Sequence, residues 1–127
     1  MTSKHTKSPW NIEMNNHHTG SIATVYGCTD GYADIWSESW VDTGMPKEEH
    51  DANARLIAAA PDLLEALSKA VRETEQFLFD AWLVRVCPSG DVESVQHQWL
   101  ASSDHREFFD EWREQIDAIA KATGEGA

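Results

Sequence analysis

The chain of 127 residues carries 10 Lys and Arg against 22 Asp and Glu, a formal net charge of -12, and its length fits one domain. With 41 % hydrophobic residues it has material for a core. Nowhere does it approach the roughly 20 consecutive apolar residues of a membrane span. A sequence pI near 4.7 argues against nucleic acid as a direct ligand, because phosphate binding draws on clustered Lys and Arg.

In chain order, residues 1–9 are polar and without period, and are expected to form a mobile tail ahead of a single α+β domain over 10–127. Lysines near the start are followed by no apolar run, so no signal peptide is expected and an intracellular setting follows. Trp10, Ile12 and Met14 alternate with Asn11 and Glu13, the period of a half-buried strand. A second strand is expected over Ser21 to Tyr26, and the polar stretch from Asn15 to Gly20 suits a hairpin loop. Tyr32 to Val41 carries Ile35, Trp36, Trp40 and Val41, which favour a pleated surface. The spacing of four between Asp34, Glu38 and Asp42 keeps a helical turn open there.

Beyond Thr43 to Pro46, the acidic run to Asp51 suits the first turn of a helix. Ala52, Leu56, Ile57, Ala60, Leu63, Leu64, Leu67 and Val71 then recur at three and four as an apolar stripe. Pro61 interrupts it, which predicts either two helices, the second starting at Pro61, or one kinked helix. The pattern continues to about Val86, where Cys87 to Gly90 ends it. Asp91 is placed to cap a helix from Val92 to about Ala101, and Ser102 or Ser103 to cap another. The last helix, Asp104 to about Thr123, gathers Phe108, Phe109, Trp112, Ile116, Ile119 and Ala120 on one face before Gly124. Strands first and helices after predict an α+β fold, a small antiparallel sheet of two or three strands packed against three to four helices.

Zinc sites favour close ligand pairs, whereas Cys28 and Cys87 stand far apart and His97 and His105 lie eight residues apart, so no metal or other cofactor is expected. The two cysteines are read as free thiols. Cys28 near Asp30 is the one conceivable nucleophile, and no G-x-S-x-G elbow or phosphate-binding glycine loop is present. An enzyme is therefore ranked last.

Charge is the feature that remains. Glu107, Asp110, Glu111, Glu114 and Asp117 are spaced at three and four, an acidic ridge on the outer face of the last helix. A second cluster runs from Asp30 to Asp51 and includes Asp34 and Glu38. A solvated surface is the bland reading of both. The sharper one is a surface that imitates the phosphate ladder of a nucleic acid and fills a basic groove on a partner protein. Trp36 and Trp40, flanked by charge, have the composition of an interface hot spot.

At Asp51 to Leu67, DANARLIAAAPDLLEAL, the sequence resembles a motif of many small bacteriophage and prophage accessory proteins. That resemblance implies phage origin, a host-cytoplasmic setting and a helix–proline–helix packing module with Leu56, Ile57, Leu63, Leu64 and Leu67 as core. It carries no catalytic signature. Small acidic phage proteins of this kind include anti-CRISPR proteins and DNA mimics. The expectation is a non-enzymatic inhibitor of a host defence complex, a CRISPR effector foremost, bound through Glu107, Asp110, Glu111, Glu114, Asp117, Asp34, Glu38, Trp36 and Trp40. The alternative is a phage structural or oligomerising module that forms a homodimer through the Leu-rich segment.

Overall fold

The computed structural model describes residues 4–16 and 22–125. Among the described residues three strands come first, β1 (Trp10–Asn16), β2 (Ile22–Gly27) and β3 (Ala33–Ser39). Five helices follow, α1 (Trp40–Thr43), α2 (Lys47–Val86), α3 (Val92–Leu100), α4 (Ser103–Glu111) and α5 (Arg113–Thr123). The fold is α+β, with an antiparallel sheet in the order β1-β2-β3. The chain divides into two compact units, residues 1–64 and 65–127.

In the first unit the expected hairpin is present as the β1–β2 pairing, with Trp10 opposite Gly27 and Ile12 opposite Val25. Part of its predicted loop, from His17 to Gly20, lies outside the described residues. Ala23, Val25 and Gly27 are buried while the residues between them are half-exposed, the alternation a one-sided sheet requires. Residues assigned to a mobile tail make contacts with this sheet. The Thr6 carbonyl accepts from the Trp10 indole at 2.9 Å, Lys7 pairs with Asp30 at 3.0 Å, and Thr29 donates to the Ser8 carbonyl at 3.2 Å. The segment approaches Gly27 closely, since a Cβ there would stand 2.9 Å from the Thr6 methyl.

The ambiguous run Tyr32 to Val41 resolves into both of its readings. It is strand to Ser39 and a helical turn from Trp40, capped by the Ser39 hydroxyl accepting from the Asp42 amide at 3.4 Å.

α2 is one helix of 40 residues with Pro61 inside it, about 60 Å long at 1.5 Å per residue. No second start forms at Pro61. The missing amide costs one hydrogen bond, while the Ala-rich turn before it and the Leu-rich turns after it favour continued helix. The core expectation needs correction along this helix. Its buried positions are His50, Asp51, Ala54, Pro61, Ser68 and Trp82, whereas Leu56 is 62 % exposed and Leu63 54 %. The predicted stripe merged two faces, because Ile57, Leu64 and Val71 border the buried side and Leu56 and Leu63 do not.

The second unit is built on aromatic contacts. Trp99 is 2 % exposed, and its ring meets Phe79 at 5.4 Å, Trp82 at 5.5 Å and His105 at 5.3 Å, separations at which offset and edge arrangements are favourable. Both predicted caps are in place. Asp91 accepts from the Ser94 amide at 2.9 Å, and Ser102 from the His105 amide at 3.1 Å. Arg85 reaches both carboxylate oxygens of Asp104 at 2.8 Å, tying the end of α2 to the start of α4. The last predicted helix is two, α4 and α5, which meet at Trp112, whose φ of -102° and ψ of 18° leave the helical range. Gly124 closes α5 with φ 77°, as its position suggested.

Candidate functional site

The acidic residues chosen from the sequence fall in separate places. Glu107, Asp110 and Glu111 are exposed on α4, and Glu114 and Asp117 are exposed on α5. The ridge is thus carried by two helices that join at Trp112. Asp110 accepts from Arg113 at 2.9 Å, and the same guanidinium lies 5.5 Å from the centre of the Phe109 ring. Among the described residues no ion pair forms at Glu107, Glu111, Glu114 or Asp117, so four of the five carboxylates are uncompensated.

On β3 a bulge separates what the sequence groups. Val25 pairs with Trp36 and Tyr26 with Asp34, so Ile35 has no opposite residue. Directly opposed residues share a face. Trp36 and Glu38 therefore lie on the side of Val25 and Ala23, half-buried, while Asp34 lies on the other side, exposed. Asp34 accepts from the Tyr32 hydroxyl at 2.5 Å, which pushes the Tyr32 pKa up, since the bond to a carboxylate favours the protonated phenol. Tyr32 stacks on Tyr26 at 5.4 Å. Trp40 begins α1, half-buried, and its buried indole N–H has no hydrogen-bond partner among the described residues.

The Asp30 to Asp51 cluster also contributes less free charge than its count suggests. Asp30 is paired with Lys7, and Asp51 is 6 % exposed. Lys47 donates to Asp51 at 2.7 Å and holds its carboxyl below the usual carboxylate range, with the His50 contact adding to this and burial opposing it. His50 is fully buried. Its Nε2 donates to the Glu38 carbonyl at 2.8 Å, and its Nδ1 lies 3.2 Å from Asp51. Trp36 stands 5.9 Å from the His50 ring, centre to centre. In the amino-acid pattern this strut shows only as a histidine beside an aspartate in a first helical turn.

For chemistry, Cys28 and Cys87 are free and exposed. The Cys28 sulfur accepts from the Asn11 amide at 3.7 Å, and the Cys87 thiol donates to the Val84 carbonyl at 3.3 Å. Among the described residues no group of three or more His, Cys, Asp or Glu could hold a metal ion. No helix of the described residues is long and apolar enough to cross a membrane. The histidines are spread: His50 braces β3, and His105 packs among Trp99, Phe108 and Phe109, 3.7 Å from Glu75. What the surface offers is uncompensated carboxylate on α4 and α5 and, along α2, exposed apolar side chains.

A family model described as Salmonella phage P22 protein Y8K6 matches residues 1–126. No curated protein and no solved structure matches the chain.

Proposed function

The chain belongs to the Salmonella phage P22 protein Y8K6 family, and we propose that it is a non-enzymatic accessory protein of a phage that acts by binding a host protein. Its working surface is the carboxylate array of α4 and α5, and its target is the basic nucleic-acid channel of a host defence complex, with a CRISPR effector as the first candidate. The observation that carries this reading is that Glu107, Glu111, Glu114 and Asp117 are exposed and unpaired among the described residues, within a chain of net charge -12. Like charges at helical spacing cost helix stability. A cationic partner recovers that cost and is drawn in by long-range attraction.

The test is affinity capture of the tagged protein from host lysate at low and high salt, with mass spectrometry of the eluates, beside a Glu111→Arg/Glu114→Arg variant. Capture of a nucleic-acid-handling complex that is lost at high salt and in the variant is the expected result. Capture that ignores both salt and charge reversal removes the acidic-occlusion reading.

A further inference from the structure

α2 bears a second apolar face that is largely exposed among the described residues. Leu56, Ala60, Leu63, Leu67, Ala70, Thr74, Phe77, Ala81 and Val84 follow one another at alternating steps of four and three, the strict seven-residue repeat of a coiled-coil seam. Leu56 is 62 % exposed, Leu63 54 %, Phe77 72 % and Val84 80 %. Ala60, Ala70 and Ala81 are exposed as well, and Leu67 and Thr74 are half-buried. At 100° per residue, Leu63 sits about 160° round the helix from the buried Pro61. The single polar member is already satisfied, since the Thr74 hydroxyl donates to the Ala70 carbonyl at 2.7 Å.

We infer that this seam is the interface between two copies of the chain, paired antiparallel along α2. Residue sizes carry the orientation. Antiparallel register sets Leu56 against the partner's Ala81, Ala60 against the partner's Phe77, Leu63 against the partner's Thr74 and Leu67 against the partner's Ala70. Each of these four pairs joins a large side chain to a small one, the arrangement that keeps two helices at an even spacing, and Val84 lies opposite the partner's Asn53 at the end of the seam. Parallel register instead stacks alanine on alanine at three layers and Phe77 on Phe77 at another, so the helix separation must vary along the seam. Area agrees with a second copy as the occupant. At roughly 100 Å² for each of the four large exposed side chains, two protomers bury roughly 800 Å² before Leu67, Thr74 and the alanines are added, which takes the total past the 1,000 Å² or so of a specific interface. The pairing is isologous, so it closes at two copies. It is independent of the acidic surface on α4 and α5.

Light scattering on the full chain at tens of micromolar tests the inference, with a mass of twice the 14.3 kDa chain as the expected result. Leu63→Glu/Phe77→Glu returns the mass to one chain while circular dichroism keeps its helical signal, because both side chains face solvent in the protomer. In a Cys28→Ser/Cys87→Ser background, a mixture of Ala60→Cys and Phe77→Cys chains cross-links on oxidation, and Ala60→Cys alone does not. This second measurement holds even if the glutamate pair impairs folding. A single-chain mass for the wild type overturns the inference, including where that monomer captures a helix of a different protein on the same residues. A dimer unmoved by the glutamates also overturns it, and self-linking of Ala60→Cys overturns the antiparallel register.

Discussion

His50→Ala is the most informative single substitution for stability. The imidazole is fully buried and its Nε2 donates to the Glu38 carbonyl at 2.8 Å, so truncation has two costs. It leaves a carbonyl without its donor, about 1–3 kcal/mol for a buried polar group, and it opens a cavity beside Trp36, about 1–2 kcal/mol at this volume. Together these reach about 3 kcal/mol, a large part of the 5–15 kcal/mol that separates folded from unfolded states of ordinary domains. Urea denaturation followed by circular dichroism measures it, with exposed His97→Ala as a control expected within about 0.5 kcal/mol of wild type. His50→Gln, whose amide reaches towards the same carbonyl, should recover part of the loss. A cost for His50→Ala below about 1 kcal/mol would show that the buried imidazole is not the strut between β3 and α2.

Trp99→Ala removes a ring that touches Phe79, Trp82 and His105, and calorimetry should find a loss of about 3–5 kcal/mol; a loss under 1 kcal/mol would contradict the aromatic core of residues 65–127. Asp51 titrates below its ordinary value when folded, so its contribution is present above the unfolded pKa and is lost as pH falls through the folded one. Below the ordinary aspartate value of 3.8 the wild type should therefore lose stability that Asp51→Asn has already lost, and urea midpoints taken on either side of that pH should converge on acidification. Midpoints that stay parallel would refute the Lys47–Asp51 assignment.

The caps and ends were legible because each is set by one residue acting locally: Asp91 and Ser102 at helix starts, Gly124 at an end. The hairpin was legible through period-2 alternation in β1 and β2. The α2 core was not. Apolar residues occupy more than one face of that helix, and periodicity reports that a face is apolar without reporting what covers it, so Leu56 and Leu63 entered the core in place of His50 and Ala54. The division of the last helix escaped notice because Trp112 continues the apolar pattern of Phe108 and Ile116, and only its backbone angles depart from helix. For the acidic residues of α4 and α5, type and exposure were readable from spacing. That Asp34 and Glu38 of the second cluster lie on opposite faces of β3 was not, since an unpaired Ile35 breaks the count between them.

That unpaired residue makes β3 unusually specific about where its length can change. Strand faces are assigned by odd and even counting, so gaining or losing a residue at most positions would exchange inside for outside along the rest of the strand. Ile35 is the exception. Removing it leaves Asp34 outward opposite Tyr26 and Trp36 inward opposite Val25, with the ladder now regular. A length variant of this family that kept Asp34, Trp36 and Glu38 in their present directions would have to differ at this position.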